Sequence, residues 1–242
     1  ADPRETRIKT GLFFYEKGDF ERAATEFNLV LAGDPENDRA RYYLGATYVE
    51  LKDNEKALAE FAKIPEKSDL YLDSRLQMAY LYERTEQLQE AIDSVHSVLR
   101  KKTDRKEVYA LLSSLYRKAK DFPKAIEAME RVVALDPKSD QAYFQLGALY
   151  DEAKNKDQSV ANMKRAIELN PKNAAALNYL GYTWAEMGVQ LDDAEQLIQR
   201  ALQLEPNDGF YIDSLGWVYF QKGDYSRAVE QLERAVAITV DD

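Results

Sequence analysis

The sequence predicts an all-α chain of seven helical hairpins, and three observations predict it. The first is a period. A small residue recurs at Ala23, Ala57, Ala91, Ala125, Ser159, Ala194 and Ala228, spaced by 34 residues except for one step of 35. Self-similarity at a fixed interval of this length marks stacked supersecondary units. The second is a helical face within each unit. Four residues after each small residue stands Phe27, Phe61, Val95, Met129, Met163, Ile198 or Leu232, and three further on Val30, Ile64, Val98, Val132, Ala166, Ala201 or Ala235. Positions i, i+4 and i+7 share one side of an α-helix. The third is the scarcity of breakers. Ten glycines and seven prolines in 242 residues argue against a loop-rich or all-β chain.

The elements follow in order. Each periodic helix is preceded by another, marked by a small residue and an aromatic one turn later. The pairs are Gly11 with Phe14, Gly45 with Tyr48, Ala79 with Tyr82 and Ser113 with Tyr116, then Gly147 with Tyr150, Gly181 with Trp184 and Gly216 with Tyr219. The small residue lets the two helices approach and the aromatic fills the space between them. Gly18, Gly188 and Gly223 stand where the first helix stops, as a left-handed C-terminal cap requires. Asp34-Pro35, Asp136-Pro137, Asn170-Pro171 and Glu205-Pro206 end the second helix. The step of 35 comes from a longer turn at 187–192, with Asp192 and Asp193 as capping residues of the helix that follows. The third repeat lacks both the glycine turn and the proline, and the second has Asp69 where proline is expected, so the turns there depart from the pattern. The units fall at 4–37, 38–71, 72–105, 106–139, 140–173, 174–208 and 209–242, in one array over 1–242.

With Leu-Gly, an aromatic, a small residue and a closing proline in a unit of 34, the chain resembles the tetratricopeptide repeat. The resemblance runs from residue 4 to 242 and implies a right-handed superhelical solenoid of fourteen helices, in which each repeat touches mainly its neighbours. The stretch NYLGYTWAEMGVQLDDAEQLIQRALQLEPNDGFYIDSLGWVYFQKGDY resembles more narrowly a group of Gram-negative bacterial repeat proteins. That likeness implies an adaptor or assembly role at the outer membrane, on the periplasmic side, with a lipid anchor outside this chain.

Chemistry is scarce. With no cysteine there is no disulfide, thiolate metal site or cysteine nucleophile. The single histidine, His96, sits among helical neighbours and reads as structural. There is no phosphate-loop or dinucleotide motif, and the acidic run at 151–157 lacks the glycine of a calcium loop. The sequence thus predicts no catalytic residue, metal or cofactor. A net charge of −10 argues against nucleic acid as a partner. No stretch approaches the ~20 apolar residues of a membrane span. Residues 101–150 are mildly basic, ten cationic side chains against seven acidic, and 201–242 are acidic, three against eight. The basic run at 100–106, continued by Arg117, Lys118, Lys120 and Lys124, reads as a solvated connection, with a patch for an acidic partner as the other reading.

The resemblance implies that the first helices line a concave wall. The stripe expected to face the groove holds Tyr42 in repeat two, Tyr80 in repeat three and Arg117 in repeat four. It holds Phe144 in repeat five, Asn178 and Tyr182 in repeat six, and Phe210, Asp213, Trp217 and Phe220 in repeat seven. Solvated stripes are polar, whereas aromatic ones mark binding hot spots. The first three repeats carry Glu5, Ile8, Leu12, Arg39 and Asp73 at these places, which is not the carboxylate clamp of chaperone-binding members. The expected function is therefore a non-catalytic scaffold for another protein or peptide segment, gripped near repeats five to seven by an apolar segment with some lysine or arginine. A self-assembling structural protein and the regulatory arm of a larger enzyme are the alternatives. Because 235–242 follow the last helix face with no polar capping helix, the sequence predicts that the natural protein continues. It also predicts an apolar end of Val218, Val229, Leu232 and Val236 that associates with a second copy.

Overall fold

In a computed structural model, residues 2–101 and 104–240 are described, with side chains through 238. The described residues form fourteen α-helices and no strand. They divide into two compact units, 1–119 and 120–242. The first holds α1 (Pro3–Glu16), α2 (Phe20–Gly33), α3 (Asp38–Glu50), α4 (Asn54–Ala62), α5 (Tyr71–Arg84), α6 (Leu88–Leu99) and α7 (Lys106–Lys118). The second holds α8 (Phe122–Leu135), α9 (Asp140–Glu152), α10 (Lys156–Leu169), α11 (Ala174–Met187), α12 (Leu191–Leu204), α13 (Gly209–Gln221) and α14 (Tyr225–Val240).

Within each unit the periodic apolar face is the core. In the first, Ala23, Phe27 and Val30 of α2 pack with Ile8 of α1 and with Ala40 and Leu44 of α3. Ala57 and Phe61 of α4 pack with Met78 and Leu81 of α5. In the second, Met163, Ala166, Ala194 and Ile198 join Leu180, Trp184, Leu215 and Val218 in one cluster. Within each unit successive helices share these clusters, so the apolar face of one helix is covered by elements that follow it along the chain.

The turns inside the hairpins are more uniform than the sequence suggests. Gly18, Gly188 and Gly223 are left-handed, with φ of 75°, 67° and 78°. Lys52, Glu86, Lys120 and Lys154 occupy the corresponding place with φ of 61°, 61°, 59° and 63°. The third repeat therefore keeps the turn without its glycine. A side chain with a Cβ pays about 1–2 kcal/mol for this conformation, and glycine loses more chain entropy on folding. Lys52→Gly and Glu86→Gly are each expected to stabilise the chain by up to about 1 kcal/mol, read as a higher urea midpoint at unchanged slope. A lower midpoint for both would contradict the strain. The residue after the turn caps the next helix: Asp19, Asp53, Asp121, Asn155 and Asp224 accept from the backbone N–H three residues on.

Two turns depart from expectation. Asp192 and Asp193 are not caps. They sit inside the first turn of α12, behind Gln190, whose φ is 47° and whose side chain makes no capping hydrogen bond. There they oppose the positive end of the helix dipole, and Asp192 pairs with Lys222 at 2.7 Å. The second departure is α4, which stops at Ala62, so Ile64 lies beyond the helix yet is fully buried. Pro65 has no N–H to donate and disfavours helix at Ile64. The Arg75 guanidinium reaches back to the Phe61, Ala62 and Ile64 carbonyls at 3.3 Å each, taking the acceptors the helix end leaves open.

At the far end, Val229 and Val236 are exposed and Leu232 is half-buried, but Val218 is fully buried in the second unit's core and does not belong to an apolar end. It is packed in one cluster with Leu180 and Ala185 of α11 and Ala194 and Ile198 of α12, the repeat before its own. Asp241 and Asp242 lie outside the described residues.

Tyr150 of α9 donates to Glu130 Oε1 of α8 at 2.7 Å. Burial, then this carboxylate, pushes its hydroxyl up to about 12. Burial with Glu205 and Asp208 nearby does the same to Tyr211, also to about 12. Because the folded values exceed the ordinary 10, the stabilisation is complete below pH ~10 and is lost as pH rises from there to about 12. Stability against urea should fall across that window, and Tyr150→Phe should flatten the fall. An unchanged slope in the variant would show that Tyr150 titrates alike in both states.

Candidate functional site: an aromatic and acidic face on α9, α11 and α13

The residues expected to line a groove meet different fates. In the first unit Tyr42 is half-buried, its ring 5.7 Å from Tyr43 and 5.6 Å from Phe61. It packs against the cluster that Ala57 and Phe61 of α4 form with Met78 and Leu81 of α5. Ile8, at the groove position of repeat one, is buried outright, as is Leu76 of α5. Tyr80 is half exposed on α5, and Arg117 is exposed near the end of α7.

The basic run is largely engaged within the first unit. Arg105 pairs with Asp73 at 2.9 Å, Lys118 pairs with Glu83, and Lys101 donates to the Glu66 carbonyl. Lys118 and Lys101 each reach one repeat back, and Arg105 ties the two ends of the third repeat together. Lys102 and Thr103 lie outside the described residues. His96 is exposed and shares a 2.7 Å hydrogen bond with the Tyr116 hydroxyl.

The second unit gathers more. On α13, Phe210 is 79% exposed and Phe220 45% exposed. Phe220 stacks on Trp217 with centroids 5.1 Å apart and meets Tyr225 of α14 edge-on at 5.6 Å. On α11, Tyr182 is 38% exposed. Phe144 of α9 turns toward Tyr179, 6.0 Å away, and packs partly against the core, as does Trp217. So Tyr182, Phe210 and Phe220 present open rings, whereas Phe144 and Trp217 are anchored in the wall behind them.

Carboxylates accompany the rings. Tyr179 donates to Asp151 Oδ2 at 2.8 Å. Lys156 Nζ lies 2.6 Å from Asp151 Oδ1 and 2.5 Å from Glu186 Oε2, tying α9, α10 and α11 together. Burial, then Glu186 and Asp213, raises the Tyr182 hydroxyl above its usual range, and Lys156 opposes this. Burial, then Asp151, raises Tyr179 in the same sense. The Asp151 carboxyl is held below its usual range despite its burial, by Lys156 and the Tyr179 hydroxyl. Two polar atoms, Asn178 Oδ1 and Trp217 Nε1, are shielded from solvent and find no hydrogen-bond partner among the described residues. Leaving such atoms unpaired costs about 1–3 kcal/mol each.

Glu186, Lys156 and Tyr225 were not expected here. Glu186 was detectable, since it follows Tyr182 by one helical turn. Lys156 and Tyr225 begin second helices, which carry no groove stripe. Among the described residues no group of three or more His, Cys, Asp or Glu side chains gathers as if for a metal ion, and no helix is long and apolar enough to cross a membrane.

Known proteins agree with this architecture. Family models described as tetratricopeptide repeat match residues 14–70 and 116–180, residues 76–140, and residues 211–240. Over 109 residues the chain is 31% identical to anaphase-promoting complex subunit CDC16 of Saccharomyces cerevisiae, covering 42% of this chain and 13% of that protein. The match thus spans about an eighth of that relative. A solved structure of MamA is 25% identical, with a TM-score of 0.61 over 68% of this chain and 95% of its own. YrrB, described as a TPR protein with an unusual peptide-binding site, is 20% identical, with a TM-score of 0.60 over 75% of this chain and 93% of its own. A repeat protein from Parabacteroides merdae is 16% identical but aligns over 98% of this chain and 94% of its own at a TM-score of 0.66. At these identities the last two likenesses speak to the fold.

Proposed function

The chain belongs to the tetratricopeptide repeat family, and from that premise we propose that it is a non-catalytic scaffold that holds a peptide segment of another protein against α9, α11 and α13, as an adaptor in a bacterial multiprotein assembly. One observation carries this reading. Tyr182, Phe210 and Phe220 stand open on consecutive first helices, beside two shielded polar atoms without partners. Large rings left in water on one face are the usual substance of a binding hot spot. Arg117, Tyr42 and Tyr80 belong to the first unit, and the reading does not require them.

The test uses peptides selected from a random linear library on the full chain. Tyr182→Ala with Phe220→Ala should weaken binding by about tenfold or more without lowering the melting temperature, because both rings are exposed. Trp217 is unsuitable for this purpose, since its truncation would also open the core. Leu204, exposed on the second helix α12, serves as the control. Selected peptides that survive the double variant but are lost on Leu204→Ala would place the binding surface on the second helices and overturn the proposal.

A further inference from the structure

The chemistry of the occupant can be narrowed, on the footing of the groove reading just given. We infer that the segment bound at this face carries a lysine or arginine beside an apolar or aromatic side chain, with the cation seated between Asp213 and Glu186 against the Tyr182 ring.

The inference starts from a count of charges that face Tyr182. Asp151, Glu186 and Asp213 all act on its hydroxyl as negative charges, and Lys156 is the cation that opposes them. That ammonium is already committed to two of the three carboxylates, at 2.6 and 2.5 Å. Asp213 makes no ion pair among the described residues and stands exposed one helix away. The face therefore keeps an excess of negative charge after its internal pairing is complete.

Each kind of partner can be weighed against that excess. An acidic segment, or a chain-terminal carboxylate, would meet like charge. A wholly apolar segment would cover the rings but would strip water from Asp213 without replacing it, and an uncompensated desolvated charge is costly. A segment with one cation avoids both penalties. Its ammonium or guanidinium pairs with Asp213 and the outer side of Glu186. It also lies against the Tyr182 face, where an aromatic ring attracts a cation. The neighbouring apolar side chain then rests on Phe220 and Tyr225, whose rings meet edge-on. The side-chain preference thus comes from the charges and the exposed rings.

The experiment is selection from the random linear library on the full chain at low salt, followed by affinity measurement with charge variants. The expected result is enrichment of lysine or arginine next to an aromatic or branched apolar residue. Asp213→Asn should weaken the selected peptides by about two- to fivefold, the usual range for an exposed ion pair. Asp213→Lys should weaken them by about tenfold or more, and renewed selection on that variant should favour aspartate or glutamate. The loss should shrink as salt is raised, since exposed charges are screened. Peptides that depend on Tyr182 but carry no enriched cation and bind Asp213→Lys equally well would overturn this inference and leave the groove reading standing. Enrichment of acidic peptides would overturn it as well. Failure to recover any binder sensitive to Tyr182→Ala would count against both readings.

Discussion

Phe61→Ala is expected to destabilise the chain by about 3–5 kcal/mol, the range for removing a large buried ring. Phe61 is fully buried, and its ring occupies the space that Gly45 leaves by having no side chain: a Cβ there would lie 2.8 Å from the Phe61 ring. The Tyr42 ring closes the other side at 5.6 Å. The surrounding helices are held by their own contacts, so the hole cannot collapse fully. The converse change, Gly45→Ala, should overpack the same place at about 1–3 kcal/mol. The third repeat suggests how the two changes couple. There Ala79 stands at the glycine position and Val95 at the phenylalanine position, both fully buried. A larger residue on one helix is matched by a smaller one on the other. Gly45→Ala combined with Phe61→Val should therefore cost clearly less than the sum of the single changes. Strict additivity in urea titrations would mean that the two positions do not share one packing space.

The second large effect is expected at Gly181. A Cβ there would lie 2.7 Å from Ile198 Cγ1 and 2.9 Å from the Ala194 carbonyl oxygen. A side chain can turn aside, but a backbone carbonyl inside α12 cannot without moving the helix. Gly181→Ala should cost about 1–3 kcal/mol, even though alanine favours a helix over glycine by about 1 kcal/mol. Gly33 is the control. Nothing lies within 4 Å of a Cβ there, so Gly33→Ala should be neutral or slightly stabilising. Equal losses at the two positions would refute the close-approach account. The effect at Gly181 should also reach the proposed site, because α11 carries Asn178 and Tyr182. Pushing α11 away from α12 should lower the affinity of groove-binding peptides, whereas Gly33→Ala should not.

Much of this was legible in the residues. The 34-residue period and its i, i+4, i+7 face specify helices and their order, because apolar spacing is a property of each segment alone. The glycine turns at Gly18, Gly188 and Gly223 were legible for the same reason. Lys52, Glu86, Lys120 and Lys154 were not, since nothing about lysine or glutamate announces a left-handed turn. At Lys52, Glu86 and Lys154 the packing of the two flanking helices imposes it. Pro65 carried a visible signal for the early end of α4, but the Arg75 cap depends on where α5 passes, which only folding brings about.

The candidate site divides along the same line. Its aromatic positions could be read from a stripe at helical spacing, and the acidic bias of the last repeat from a count. Neither reveals which rings remain open. Phe144 and Trp217 share their stripes with Tyr182 and Phe220, yet the first two are partly taken into the core. A shift of a few ångströms in a neighbouring helix decides whether a ring is wall or surface. The sequence by itself determined the repeat, the helices and the residue types available to a partner, because these depend on local spacing. Tertiary structure alone decided the exposure of each ring, the pairing of Lys156 with two carboxylates and the unpaired state of Asp213. Those properties belong to contacts between different helices, which no local pattern encodes.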